Sequence, residues 1–139
     1  MTTTPAHTTV GQPLLERARQ LGAIRMAVVH PCDATSLAAA LDAWRCGLIE
    51  PVLVAPRHKL EQVAKDGALD LAGVPIDDVP HSHAAAARAV ALAASGHVDA
   101  LMKGSLHTDE LMTAVIAATS GLRTARRISH CYLMNTPAY

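Results

Sequence analysis

Six consecutive residues, Lys103-Gly104-Ser105-Leu106-His107-Thr108, combine a positive charge, a glycine and two hydroxyls between an apolar strand and a helix. Backbone N–H groups at such a helix start point outward, and the dipole adds partial positive charge, so the turn can hold an anion. Lys103 supplies a full charge, Ser105 and Thr108 supply hydroxyl donors, and Thr108 is the expected N-cap. This is a phosphate cradle in outline, although the GxxxxGK[ST] spacing of a Walker loop is absent. The same residues also suit an ordinary βα turn with a capping Thr. A second cluster, Arg123, Arg126 and Arg127 followed by Ser129, offers guanidinium forks matched to phosphate or carboxylate. It equally suits a solvated basic turn behind a helix C-terminus.

Other chemistry-bearing residues carry weaker signals. His81 and His83 lie two apart, which on a helix turns them to different faces and disfavours a metal pair. Asp77-Asp78 reads as a solvated turn rather than a carboxylate dyad. Cys32, Cys46 and Cys131 are odd in number and form no CxxC pair, so each is expected to be a small buried hydrophobe. No GxSxG segment marks a nucleophile elbow.

The elements that must position these groups alternate regularly. Pro13 opens a helical pattern through Leu14, Leu15, Ala18 and Leu21, and Gly22 stops it. Residues 26–29 form a short apolar run ending at His30-Pro31, a buried strand. Asp33 can cap a helix carrying Leu37, Ala40, Leu41 and Trp44 at helical spacing, ended by Gly47. A proline-bracketed strand, residues 51–56, leads to a helix through Leu60, Val63 and Ala64 that stops at Gly67. Residues 74–79 are a weak strand, 81–96 a strong helix, 100–102 a strand, and 108–121 a helix containing Leu111, Met112, Val115 and Ile116. Residues 128–134 read as one more buried strand. Residues 1–10 read as a disordered lead-in and 11–139 as one domain.

This alternation predicts an α/β fold: three layers, α/β/α, around a doubly wound, mostly parallel sheet. Ligands in such sheets bind beyond the strands' carboxyl ends. Polar residues stand at three of those ends: His30-Pro31, the 103–108 segment and Met134-Asn135. The two charged clusters are therefore expected near adjacent sheet ends, where they could share one anionic ligand.

Composition narrows the classes. The 139 residues are half apolar, yet 27 are alanine and Phe is absent. Lys+Arg and Asp+Glu balance at 12 each, which removes the broad basic field of a non-specific nucleic-acid binder. No apolar run approaches the roughly 20 residues of a membrane helix, and the polar start lacks a secretory signal's pattern. The cytoplasm is the expected compartment.

Residues 99–108, DALMKGSLHT, resemble the DAL-hKG-x-x-HT signature of the phosphate acetyl/butyryltransferases, and 121–130, GLRTARRISH, are similar to their GLRT-x-R-x-SH segment. The first strand with His30 and the 45–54 region match in order, so the likeness runs from about residue 12 onward. It lies nearer the butyryltransferase-like branch, which some bacteria fuse behind an enoyl-CoA hydratase domain. The resemblance implies the reaction acyl-CoA + phosphate ⇌ acyl phosphate + CoA, by attack of the CoA thiol on the acyl phosphate. It implies a fold resembling the isocitrate and isopropylmalate dehydrogenases, with the site in a cleft between two α/β domains.

By position, the resemblance gives Lys103, Gly104, Ser105, His107 and Thr108 to the substrate phosphate. It gives Arg127, with Arg126 and Ser129 beside it, to an anionic group of substrate or CoA. CoA is expected as a substrate rather than a tightly bound cofactor, no metal is expected, and a homodimer is. Family members are about twice this length, with their thiol-activating residues near the C-terminus. The chain is thus expected to be an N-terminal portion, to hold none of the catalytic residues, and to be inactive alone. Two alternatives stand beside this: a non-catalytic module binding CoA or a phospho-ligand, and a pure assembly subunit.

Overall fold

The computed structural model describes residues 11–134. In chain order the elements are α1 (Gly11–Leu21), β1 (Ile24–Val29), α2 (Ala34–Arg45), β2 (Ile49–Ala55), α3 (Arg57–Asp66), β3 (Ile76–Asp78), α4 (Ser82–Ala94), β4 (Ala100–Lys103) and α5 (Thr108–Ile116). The four strands form one parallel sheet in the order β3-β2-β1-β4.

Both central strands are apolar runs because both of their faces are covered. Successive side chains alternate between two cores. Ala27, Val29 and Val54 pack with Ala85, Ala86 and Ala89 of α4 and with Leu111 of α5. Val28, Leu53 and Ala55 pack with Leu37, Ala40 and Leu41 of α2 and with Leu60 and Ala64 of α3. The alanine surplus thus lies partly at the interface of α4 with the sheet. The result is the expected helix–sheet–helix sandwich.

Pro51 sits inside β2 rather than at its edge, and the ladder explains why. Leu53 N–H donates to Pro75 O at 2.9 Å, whereas Val54 O accepts from His30 N–H at 2.9 Å. Residues 51 and 53 therefore face β3, whose pairing begins only opposite Leu53. The N–H that proline lacks has no ladder partner to lose.

The winding places the ligand crevice. From β1 the chain steps outward through β2 to β3, then returns through α4 to place β4 on the other side of β1. The order reverses between β1 and β4, so the crevice at their carboxyl ends is the topological switch point.

Two expectations are corrected. Residues 128–134 form no strand; Ile128, Tyr132, Leu133 and Met134 are exposed, because no neighbouring strand offers them a ladder among the described residues. The sheet accordingly has four strands. Helix α5 ends at Ile116, and the backbone turns out at Ala117 well before Gly121. Helix α1 forms as its spacing predicts, yet none of its residues is buried, since no described element covers Leu14, Leu15 and Leu21. The lead-in at 1–10, and Asn135 at the last expected strand end, lie outside the described residues. Among those described, no helix is long and apolar enough to cross a membrane.

Candidate functional site

Two loops meet at the switch point. The first leaves β1 as His30-Pro31-Cys32-Asp33, and the second leaves β4 as Gly104-Ser105-Leu106-His107. They are laced together by backbone bonds: Gly104 N–H to Val29 O and Ser105 N–H to His30 O, both 2.8 Å. Gly104 is required at this approach. A Cβ there would lie 2.5 Å from Val29 O and 2.6 Å from the His30 carbonyl. His30 is buried and adopts φ +53°, a left-handed conformation uncommon outside glycine.

The Ser105 hydroxyl is committed to this lacing. Its Oγ donates to His30 O at 2.9 Å, accepts from Cys32 N–H at 3.0 Å, and lies 3.4 Å from His30 Nδ1. Lys103 Nζ folds over its own loop, donating to Leu106 O at 2.8 Å and Gly104 O at 3.2 Å, with one proton left over. Thr108 is the first helical residue rather than the cap. The N-cap is His107, which makes no side-chain capping bond. The first N–H groups of α5 are thus left for water or a ligand.

Electrostatics at the crevice are mixed but informative. Burial, and then the Lys59 charge, hold the His30 imidazole below its usual range, with Glu110 pulling the other way. Burial pushes the Cys32 thiol up. Asp33 is held below the ordinary carboxylate range, first by the backbone N–H of Ser36, which it caps at 2.7 Å. Glu110 Oε1 is buried and lies 2.6 Å from His83 Nδ1, an ion-pair approach without an aligned hydrogen bond. That approach ties the start of α5 to the start of α4.

The arginine cluster lies elsewhere. Arg123, Arg126 and Arg127 are exposed and line a groove of about 490 Å³ with Val115, Ile116, Leu122 and Ile128. This groove flanks the far end of α5, about 12 Å along the axis from Thr108. It contains none of residues 103–108. The expected adjacency of the two clusters fails because it relied on a strand at 128–134. Ser129 is exposed on the same segment.

Several smaller assignments change. Asp77 and Asp78 are not a free turn: Asp77 binds Arg88 Nε at 2.7 Å, and Asp78 accepts from Arg57 N–H at 2.8 Å. Cys32 is half-buried, and Cys46 and Cys131 are exposed. His81 caps α4 through Nδ1, which accepts from Ala84 N–H at 3.1 Å. Sequence reasoning marked His30 only as a strand end and missed Cys32, Asp33 and Lys59 at the crevice. The signal for the first two was their place directly after β1. Among the described residues, no three His, Cys, Asp or Glu side chains are grouped to hold a metal ion.

The two laced loops lie beside the Lys103 ammonium and the open amides of α5, groups whose chemistry suits an oxyanion. No family model matches the chain. Over 135 residues it is 52% identical to a phosphate acetyltransferase of Rhizobium meliloti, covering 97% of this chain and 43% of that protein. The chain belongs to the phosphate acetyl/butyryltransferase family. A phosphate butyryltransferase of Clostridium beijerinckii is 32% identical over 117 residues, covering 84% of this chain and 39% of that protein. These identities run against the expected lean toward the butyryltransferase branch. In fold, the chain is similar to a phosphotransacetylase of Staphylococcus aureus, with TM-score 0.60 at 14% identity over 74% of this chain and 41% of that one. The chain spans less than half the length of the family relatives it matches.

Proposed function

We propose that this chain is the N-terminal α/β domain, residues 11–139, of a phosphate acyltransferase, and that it supplies the phosphoryl-binding wall of the active site. The complete enzyme interconverts acyl-CoA and phosphate with acyl phosphate and CoA. The observation that carries this reading is the convergence, at the β1/β4 switch point, of Lys103, Gly104, Ser105 and the uncapped start of α5 at His107-Thr108.

In acyl transfer from acyl phosphate, the CoA sulfur bonds to the acyl carbon, the bond to the phosphate oxygen breaks, and the thiol proton passes to a base. Negative charge grows on the departing phosphate. The first amides of α5, the third proton of Lys103 and the Thr108 hydroxyl meet that charge. They bind it more strongly as it develops, which lowers the barrier. Gly104 admits the close approach of the two loops. Ser105 acts by holding the cradle's shape, since its hydroxyl is already engaged. Arg126 and Arg127, with Ser129 nearby, take another anionic group of CoA or substrate in the groove beside α5. The base and the opposite wall come from the part of the protein that the longer relatives possess, within a fold of the isocitrate/isopropylmalate dehydrogenase type. CoA is a substrate here, the assembly a homodimer, and the compartment the cytoplasm.

The test is thioester formation from acetyl phosphate and CoA. The 139-residue chain alone should give none. The same chain continued to the relatives' length should turn over, and a Gly104→Ala version should be strongly impaired. Absence of turnover in the continued protein would overturn the reading.

A further inference from the structure

We propose that His83, at the start of α4, is a positioning residue for the anion site at the start of α5, holding the Glu110 carboxylate away from the free amides that take the oxyanion. The proposal rests on the phosphoryl-binding reading of the β1/β4 crevice, and it adds a residue from a third element.

Glu110 is an internal competitor for that site. With His107 as N-cap, it is the third residue of α5. A glutamate at this position characteristically reaches back toward the N-cap backbone N–H, and negative charge is favoured at a helix start. Helix α5 has no side-chain cap to fill that place. A carboxylate folded back there occupies the amides an oxyanion would use and repels any anion that approaches. Asp109 also lies in the first turn, but it is exposed, so water and salt screen its charge. The Glu110 side chain is only 11% exposed and is screened far less.

The contact with His83 turns Glu110 the other way. Its Oε1 is buried, makes no hydrogen bond, and lies 2.6 Å from His83 Nδ1. An imidazolium at that distance both aims the carboxylate at α4 and offsets its charge. Among the described residues, no lysine or arginine pairs with Glu110. His81, whose ring centre lies 6.3 Å from that of His83, accepts a hydrogen bond at Nδ1 and so carries no charge. His107, Asp109 and Thr113 line one groove of about 270 Å³ with His83 and Glu110. The Glu110 charge also acts on His30 in the first loop, so its field reaches the crevice.

The test uses the 139-residue chain and inorganic phosphate. The His83 side chain is 81% exposed, so His83→Ala removes the partner and leaves the core intact. In calorimetric titration at about pH 6, on the acid side of the ordinary histidine range, His83→Ala should weaken phosphate binding roughly tenfold. Adding Glu110→Gln should restore affinity to within about threefold of the parent, a rescue that lost packing would not give. Glu110→Gln alone should bind at least as tightly as the parent. A His83→Ala chain that binds like the parent would overturn the proposal and leave the cradle reading standing. So would a double variant as weak as His83→Ala. If His83→Ala does not fold, Glu110→Gln decides alone, since weaker binding than the parent contradicts a competing carboxylate. A parent chain that binds no phosphate overturns the cradle reading, and the His83 assignment falls with it.

Discussion

Ser105 and Arg127 come from the two segments whose residue types most suggest anion chemistry, yet their surroundings are opposite. Ser105 sits on a loop whose backbone is bonded into β1, beneath which Val29, Leu106 and Leu111 are buried. Arg127 sits on a segment where every residue from Arg123 to Met134 is exposed and no ladder forms. The first segment is held by the fold; the second is an exposed surface. On the proposed reading, half of the binding site is pre-organised by the fold while the other half lies on an open surface.

That contrast can be broken by substitution. The largest difference should come from deleting apolar bulk under each region. Leu53→Ala, in the fully buried sheet, should cost about 2–5 kcal/mol in denaturant unfolding. Leu133→Ala, at a side chain 75% exposed, should stay within about 0.5 kcal/mol. Next comes Gly104→Ala, whose methyl group meets the β1 carbonyls. It should cost about 1–3 kcal/mol and abolish phosphate binding, as calorimetry would show. A stable, fully binding Gly104→Ala chain would remove the case for a laced crevice.

A smaller effect sharpens the same comparison. Asp33→Ala removes the N-cap of α2 beside the crevice and should cost about 1 kcal/mol. The Asp33 carboxyl is held below its ordinary 3.8, so the folded state binds fewer protons there than the unfolded state. Its contribution is present above pH 3.8 and disappears as pH falls through the lower folded value. Acid unfolding of the Asp33→Ala chain should show that part of the pH dependence removed. The smallest effect belongs to the exposed segment. Arg126→Ala with Arg127→Ala should leave unfolding within about 0.5 kcal/mol and phosphate binding at the crevice unchanged, while weakening CoA binding in the complete enzyme.

Much of this architecture was legible because it depends on local signals. Asp33 caps α2 as its type predicts, Leu37, Ala40 and Leu41 face the core at helical spacing, and α5 follows β4 across a glycine turn. The segment proposed as the phosphate cradle was legible as a strand–turn–helix unit for the same reason. Its partner was not: the contact of Ser105 with His30 spans 75 residues and depends on strand order, which spacing along the chain does not encode. Residues 128–134 failed differently. Their apolar run is a sound strand signal, but a strand needs a ladder, and no described element provides one. Thr108 was displaced by one position, the ordinary uncertainty of a helix start.

The most direct measurement is backbone amide shift mapping of the 139-residue chain titrated with acetyl phosphate. Saturable shifts confined to the β1 and β4 loops and the first turn of α5, from His30 to Asp33 and from Gly104 to Glu110, are the predicted result. Shifts confined to Leu122 through Ser129, with the crevice silent, would contradict the claim that the fold alone builds the phosphoryl site.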